Sequence, residues 1–270
     1  MTDVEYRLAG RTILLTGGAG GLGLPMARTL LEAGANLLLT ALEENALADA
    51  SASLAGTAGT LSTFAADLSD PAASAAIVDA ARCRFGEVEI LINNAGIGPG
   101  AVRSDFWREK IRFWEGGVDY KTFAQVNFIA PATLAQLLVP SMIERGWGRI
   151  INVTTSMRTM VGRGCAPYGP TKASLEALTA VQSLDLVGTG VTANALTPGG
   201  PTDTAMVPVN PAVPRETLIS PAVMGPVVRW LASPFSDGVS GRRFLAAQWD
   251  PALPDSEAAA QSGNPAAWEV

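Results

Sequence analysis

The sequence Thr16-Gly17-Gly18-Ala19-Gly20-Gly21-Leu22-Gly23 decides the fold, because it joins an apolar run at 11–16 to an apolar-periodic run at 24–33. The first run suits a buried parallel strand, and the second predicts a helix that Gly34 ends. A glycine-rich turn in this context places backbone N–H groups at the positive end of a helix, where they can bind phosphate. The stretch therefore predicts a nucleotide-binding strand–turn–helix unit.

The alternation of strand and helix continues through most of the chain. Apolar runs at 36–40, 61–66, 88–93, 149–154 and 191–196 predict strands, and the stretches 43–54, 71–85, 120–144 and 168–186 predict helices. This order favours an α/β fold, a Rossmann-type doubly wound parallel sheet flanked by helices. We predict one domain over residues 1–250. Residues 251–270 show little periodicity and are expected to be a C-terminal tail, either mobile or docked through Trp268.

Composition removes several classes of function. The chain has no histidine, which excludes Ser-His-Asp hydrolysis and nearly every zinc site, so no metal is expected. A net charge of −6 with scattered basic residues argues against a nucleic-acid partner. Cys83 and Cys165 lie far apart and are expected to be reduced thiols. We see no leader peptide and no apolar run near the roughly 18 residues that span a bilayer, so we expect a cytoplasmic protein without a membrane partner.

A tyrosine and a lysine four residues apart indicate the chemistry. Tyr168 and Lys172 share one face of the helix predicted at 168–186. The ammonium favours the phenolate, so we expect it to lower the pKa of the phenol. Such a phenol can exchange a proton with an alcohol or a carbonyl compound while hydride moves to or from a nicotinamide. Pro170 is compatible with this pattern, because the first turn of a helix tolerates proline.

Small and polar residues follow two further predicted strands. Asp67-Leu68 ends the third strand, where a carboxylate can meet an adenine amino group, and Asn94-Ala95-Gly96 ends the fourth, where a ribose can lie. Taken singly, Asp67 is more typical of a helix cap and Asn94 of a turn. As a series they mark the carboxyl edge of the sheet, where open α/β sheets bind ligands.

These motifs, in this order, resemble the short-chain dehydrogenase/reductase family over residues 8 to 247. By that resemblance the glycine turn holds a pyrophosphate, the residues after the fourth strand line the adenine ribose, and Pro198-Gly199 flanks the nicotinamide. The implied cofactor-binding residues are Gly17, Gly20, Gly21, Leu22, Gly23, Asp67, Leu68, Asn94, Ala95, Gly96, Tyr168, Lys172, Pro198 and Gly199, with Thr202 and Thr204 competing for the nicotinamide amide.

The resemblance also implies a catalytic set. Tyr168 would be the acid/base, Lys172 its electrostatic partner, and Asn127 the residue that organises a water reaching Lys172. The family's serine, thirteen residues before the tyrosine, is replaced here by Thr155. Threonine keeps the hydroxyl that would bind the substrate oxygen, but its methyl group restricts the side chain. Ser156 is the alternative substrate anchor.

The end of the second predicted strand bears on the choice between the two nicotinamide cofactors. Similar enzymes place an acidic residue there for the ribose hydroxyls of NAD, or a basic residue for the extra phosphate of NADP. This chain has Ala41-Leu42-Glu43-Glu44 and no Lys or Arg between positions 30 and 81. An extra phosphate would therefore be repelled. We expect NAD rather than NADP, with Glu43 as the candidate ribose contact.

Two segments are expected to border the substrate. An insert at 97–118 is longer than the resemblance predicts, and its large aromatic residues are Phe106, Trp107, Phe113 and Trp114. The insert is either an amphipathic helix packed on the protein or on a neighbouring subunit, or a wall of the substrate pocket. The Pro-rich segment 200–219 is expected to be a lid. Met157, Trp107 and Met206 would then line the site, which favours an apolar or aromatic substrate.

The sequence thus predicts an NAD(P)-dependent oxidoreductase that acts on a secondary alcohol or ketone and, by resemblance, assembles as a homodimer or homotetramer. Two alternatives stay open. One is an NAD-dependent epimerase or dehydratase, whose members usually carry a separate substrate domain that this chain has no room for. The other is a nucleotide sensor or scaffold without turnover, which Thr155 and the unusual end of the second strand support.

Overall fold

The computed structural model describes residues 8–209 and 213–267, which form one sheet of eight strands covered by helices. The strands are β1 Thr12–Thr16, β2 Asn36–Ala41, β3 Thr60–Ala65, β4 Ile90–Asn93, β5 Gly148–Val153, β6 Val191–Thr197, β7 Arg242–Leu245 and β8 Gly263–Pro265. Their order across the sheet is β3-β2-β1-β4-β5-β6-β7-β8. The pairs from β3 to β7 are parallel, and β8 pairs antiparallel with β7.

Helices cover both faces of this sheet. They are α1 Gly23–Glu32, α2 Glu44–Ser53, α3 Ala73–Phe85, α4 Tyr120–Ala124, α5 Ala130–Glu144, α6 Met157–Met160, α7 Tyr168–Asp185, α8 Met224–Leu231 and α9 Asp255–Ser262. Successive side chains of a strand point to opposite faces, so Ile13 and Leu15 of β1 enter the core under α1 and α8, while Leu14 enters the core under α3 and α5. This double coverage explains why β1 reads as a continuous apolar run.

The prediction of a Rossmann-type doubly wound sheet is confirmed. The strand order reverses between β1 and β4, because the chain runs outward from β1 to β3 and then returns to the other side of β1. A crevice opens at the carboxyl ends of strands where the order reverses in this way. The glycine turn after β1 and the residues after β4 therefore face the same crevice.

The helix predicted at 120–144 is continuous, with a π-helical segment, Gln125–Ile129, between α4 and α5. Contrary to the expectation from the sequence, its length and composition would allow it to cross a membrane. In this fold, however, Leu134, Leu138 and Met142 of α5 are fully buried in the core shared with α3 and the sheet. Apolar residues that make this helix long and hydrophobic enough to span a membrane thus form its inner face against the protein core.

The C-terminal segment differs from the tail that its composition suggested. It contains α9 and β8, and β8 extends the sheet by pairing with β7. Ala258 and Ser262 of α9 are fully buried. The sequence does not reveal this arrangement, because a three-residue strand of Gly-Asn-Pro carries no apolar alternation and forms through main-chain pairing alone. The predicted docking residue, Trp268, lies outside the described residues.

Candidate active site

The turn between β1 and α1 is packed so closely that it requires glycine. Gly17 has a φ of +64°, in the left-handed region that favours glycine. A Cβ atom on Gly23 would lie 2.3 Å from the carbonyl oxygen of Gly17, whereas a Cβ atom on Gly20 would meet nothing within 4 Å. The outer part of the turn is therefore open to a ligand at the N-terminus of α1, where backbone N–H groups favour an anion.

Asn94 supports this turn from the end of β4. Its Nδ2 donates to the carbonyl oxygens of Thr16, at 3.0 Å, and of Gly17, at 2.8 Å. The Thr16 hydroxyl accepts from the backbone N–H groups of Asn94 and Ala95, both at 3.1 Å. The amide that the resemblance assigned to a ribose therefore also ties the ends of β1 and β4 together. Ala95 packs directly against Gly17, so the backbone at the end of β4 adjoins the glycine turn.

A pocket lies at the carboxyl ends of β2 and β3, on the far side of the glycine turn. Its lining residues are Leu42, Glu43, Glu44, Asn45, Ala65, Ala66 and Asp67. The ionisable side chains among them are all acidic. The Asp67 carboxylate accepts the backbone N–H of Ser69 at 2.8 Å, so one of its oxygens is already engaged in a local turn. Leu68 is buried in the core, so only its backbone could face a ligand.

Tyr168, Lys172 and Thr155 come together where α7 begins beside the end of β5. The side chains of Tyr168 and Thr155 lie close enough for the Thr155 side chain to affect the pKa of the phenol. Burial raises the pKa of Tyr168, and the Thr155 side chain opposes that shift. Lys172 is buried, its Nζ donates to the carbonyl of Val153 at 2.9 Å, and burial lowers its pKa to about 8. The direction is opposite to the lowered phenol pKa expected from the sequence, because burial of Tyr168 is the largest effect on its pKa and the opposing contribution comes from Thr155.

The neighbours of Thr155 and Ser156 differ, and they indicate which hydroxyl is free to anchor the substrate. Ser156 is the N-cap of α6, and its Oγ accepts the backbone N–H of Thr159 at 3.1 Å. The same Oγ lies 2.8 Å from the Thr159 hydroxyl. Ser156 is therefore used to begin a helix, while Thr155 is the residue close to Tyr168.

Asn127 lies in the π-helical segment and is fully buried. Its Oδ1 accepts the N–H of Ile97 at 2.9 Å, and its Nδ2 donates to the carbonyl of Ile97 at 3.0 Å and to the Thr171 hydroxyl at 3.1 Å. Proline has no N–H, so Pro131 cannot donate the α-helical hydrogen bond to the carbonyl of Asn127. The side chain of Asn127 is thus fully engaged, and its backbone carbonyl lacks its usual partner.

Gly96 lies between the side chains of Asn127 and Lys172. A Cβ atom on Gly96 would lie 3.1 Å from Oδ1 of Asn127 and 3.3 Å from Nζ of Lys172. The structure therefore brings the ends of β4 and β5, the π-helical segment and α7 together around one lysine.

Sequence reasoning missed a buried ion pair behind this site. Glu176 of α7 is fully buried, and its Oε1 lies 3.1 Å from Nε of Arg243 in β7. Its Oε2 accepts the Thr154 hydroxyl at 2.7 Å. Arg243 also donates from Nη2 to the carbonyl oxygen of Thr155. The pair thus holds the backbone that carries Thr155. The available signal was Glu176, a glutamate within the helix predicted at 168–186, whereas the strand that holds Arg243 was not predicted.

The first part of the segment predicted as a lid, around Thr204, lies over the glycine turn. The methyl group of Thr204 would be 3.7 Å from a Cβ atom on Gly21, and Met206 packs against Gly98 at the start of the insert. Thr202 is buried, and its hydroxyl donates to the carbonyl of Gly200 at 3.0 Å. Of the two competing threonines, Thr204 therefore faces the glycine turn.

Arg215 holds this segment together, because it forms an ion pair with Asp203 and donates to the carbonyl of Val207 at 2.9 Å. Behind the segment, Pro198-Gly199 lies against the 3₁₀ turn that follows β7, since the carbonyl of Pro198 accepts the N–H of Ala247 at 3.0 Å.

The insert folds without a long helix. The described residues between β4 and α4 contain only a short 3₁₀ turn, Pro99–Ala101, so the amphipathic helix considered from the sequence is wrong. Arg103 holds the insert by ion pairs with Glu109, at 3.3 Å, and Glu115, at 2.6 Å. Phe113 and Trp114 pack edge to face, and each is 68% exposed. Trp107, like Met157 near the end of β5, is half-buried.

Comparison with known proteins identifies the family. The family model described as short chain dehydrogenase matches residues 11–212, so the chain belongs to the short-chain dehydrogenase family and is an oxidoreductase that acts on CH–OH groups. It is 32% identical to a D-beta-hydroxybutyrate dehydrogenase of Cupriavidus necator over 71% of each chain. It is 34% identical to 2-dehydro-3-deoxy-L-rhamnonate dehydrogenase (NAD(+)) of a Sphingomonas species, over 73% of this chain and 75% of the relative.

Solved structures agree with this assignment. A metagenomic short-chain oxidoreductase in complex with NADP superposes with a TM-score of 0.68 and 26% identity, over 83% of this chain and 91% of the other. The family uses a nicotinamide cofactor, and the glycine turn, the crevice and the tyrosine–lysine pair of this chain fit such a group.

Proposed function

We propose that this protein is an NAD-preferring dehydrogenase that interconverts a secondary alcohol and its ketone. The observation that carries the proposal is the buried Lys172, which lies beside Gly96 at the end of β4 and one helical turn from Tyr168, with Thr155 close to the tyrosine. A bound nicotinamide supplies the acceptor or donor of hydride. Gly17, Gly21 and the N-terminus of α1 would hold its pyrophosphate.

The proton chemistry belongs to the side chains. In alcohol oxidation Tyr168 must first lose its phenol proton, which its burial disfavours. The phenolate then takes the proton of the substrate hydroxyl, while the Thr155 hydroxyl bonds the same oxygen and orients it. In reduction the Tyr168 phenol gives the proton back to the carbonyl oxygen. Because burial lowers the pKa of Lys172 to about 8, this ammonium can itself exchange a proton near neutral pH. Asn127 sits beside Gly96 and Lys172 as the next polar group along that route.

The preference for NAD rests on charge at the ends of β2 and β3. Glu43, Glu44 and Asp67 line the pocket there, and Leu42 occupies the position where a basic residue would receive the extra phosphate of NADP. A phosphate dianion in this pocket would meet three carboxylates. The name of the Sphingomonas relative specifies NAD(+), in agreement with this proposal, whereas the solved oxidoreductase carries NADP.

The decisive experiment follows reduced-nicotinamide absorbance with NAD and a panel of secondary alcohols. The panel includes apolar and aromatic alcohols, as Met157, Trp107 and Met206 favour, and hydroxy acids, as the names of the two relatives favour. Tyr168→Phe should lower kcat by about 10²–10⁴ while NAD binding, measured by calorimetry, is retained.

Thr155→Val and Ser156→Ala form a matched pair for the substrate anchor. The first change removes the hydroxyl close to Tyr168 and should lower kcat, whereas the second removes only a helix cap and should mainly affect stability. Turnover that survives Tyr168→Phe would refute the proposal. NAD binding without turnover of any alcohol would instead support a sensor.

Assembly into a homodimer or homotetramer is also proposed. Ile143 of α5 and Val181 and Leu184 of α7 are 42%, 52% and 72% exposed, on helices that lie side by side. Burial of these apolar groups would favour association. Sedimentation velocity would detect it, and a monomer at micromolar concentration would contradict it.

A further inference from the structure

Five cations lie on two segments that meet where Lys110 packs on Gly164, and together they are named the basic rim. The basic rim consists of Arg108, Lys110 and Arg112 of the insert and Arg158 and Arg163 of the loop between β5 and α7. Among the residues that the structure describes, none of these five side chains forms an ion pair.

The acidic residues nearby do not neutralise the basic rim. Within the insert, Glu109 and Glu115 are both occupied by Arg103. The stretch 154–167 contains two arginines and no aspartate or glutamate. The whole chain has a net charge of −6, whereas residues 97–118 and 154–167 together carry six basic residues and three acidic ones, of which Asp105 is the third. Cations that line a cleft without partners attract anionic ligands and orient them.

Lys110 of the basic rim packs against the segment that leads into α7 and Tyr168. Its side-chain carbons would be only 2.9 and 3.0 Å from a Cβ atom on Gly164, so its stem packs on the backbone four residues before Tyr168. Burial raises the pKa of the Cys165 thiol, and the Lys110 ammonium opposes that shift, which places the ammonium within electrostatic range of the thiol. Cys165 in turn acts on the pKa of Tyr168.

We propose that Lys110 binds a negatively charged group of the substrate, so that the preferred substrate is a hydroxy acid or its oxo acid rather than a neutral alcohol. The inference rests on the proposed function, because it concerns the same cleft. Lysine suits this task as a compact charge on a flexible stem, able to follow a carboxylate at a variable distance from the reacting carbon. The packing of its stem on Gly164 keeps the ammonium beside the cleft.

The test compares hydroxy carboxylates of increasing chain length with their methyl esters, in the wild type and in Lys110→Gln. Lys121 provides a matched control, because it is an exposed lysine at the start of α4. In Lys110→Gln the KM for the acids should rise about tenfold, the size of one lost charged hydrogen bond. The KM for the esters and the kcat for both should stay unchanged. Lys121→Gln should behave as the wild type, and Lys110→Arg should restore most of the affinity for acids.

Salt provides an independent readout. For the wild type the KM of the acids should rise with ionic strength, and this dependence should weaken in Lys110→Gln. An unchanged KM for acids in that variant, or an equal rise for acids and esters, would overturn the inference while leaving the dehydrogenase intact. Failure of every substrate would refute the proposed function instead. Calorimetry of carboxylate binding to the wild type and to Lys110→Gln would then still decide the role of Lys110.

Discussion

Replacing Glu176 by glutamine should both destabilise the protein and slow its reaction. The change keeps the shape of the side chain and removes its charge. Arg243, 6% exposed, is then left as a buried cation without its counter-ion, and the Thr154 hydroxyl loses a charged acceptor. Breaking one partner of a buried pair costs about 3–5 kcal/mol. That is a large part of the roughly 5–15 kcal/mol by which most domains are stable.

Urea denaturation followed by circular dichroism measures this cost. Glu87→Gln is the matched control, because Glu87 pairs with Arg82 on the surface, where the two side chains are 47% and 36% exposed. Exposed pairs contribute about 0–1 kcal/mol. A loss in Glu176→Gln no larger than in Glu87→Gln would refute the reasoning that the pair is buried and satisfied only as an ion pair.

A double replacement, Glu176→Met with Arg243→Met, separates stability from positioning. Removing both charges avoids an unpaired ion, so much of the lost stability should return. The contact of Arg243 with the carbonyl of Thr155 remains absent, so kcat should stay low while the KM for NAD is unchanged. Recovery of kcat together with stability would show that the pair serves folding alone.

Three further outcomes are expected. Gly23→Ala should lower Tm sharply, because its Cβ would meet the carbonyl of Gly17, whereas Gly20→Ala should leave Tm unchanged. Burial lowers the pKa of Lys172 to about 8, below its unfolded value near 10.4, so the unfolded state binds more protons between these values and stability should rise across that window. Urea titrations from pH 8 to 10 should show this rise in the wild type and not in Lys172→Met. Leu42→Arg should raise kcat/KM for NADP relative to NAD about tenfold, and no change in that ratio would contradict the proposed cofactor pocket.

The parts of the fold and of the candidate site that the sequence predicts are those that depend on short local patterns. The glycine turn, the apolar strands and the four-residue spacing of Tyr168 and Lys172 are properties of short segments, and all of them take the predicted places. Thr155 and Ser156 could not be separated by spacing. Only the start of α6 shows that Ser156 is used as a cap.

The sequence also does not predict the direction in which the pKa of Tyr168 is shifted. Sequence spacing places a lysine near the phenol, but it does not reveal how deeply both groups are buried. Burial disfavours the charged form of both side chains, so it raises the pKa of Tyr168 and lowers the pKa of Lys172.

The sequence by itself determined the fold class and the family resemblance, and it indicated Tyr168 and Lys172 as the candidate catalytic pair, because these depend on periodicity and on motifs within a few residues. The tertiary structure alone decided the ion pair of Glu176 and Arg243, the sheet edge closed by β8 and the basic rim. The bonds of Arg243 to Glu176 and Thr155 join residues 67 and 88 positions apart. Contacts over such separations depend on how the helices and strands pack, and no local pattern in the chain records that packing.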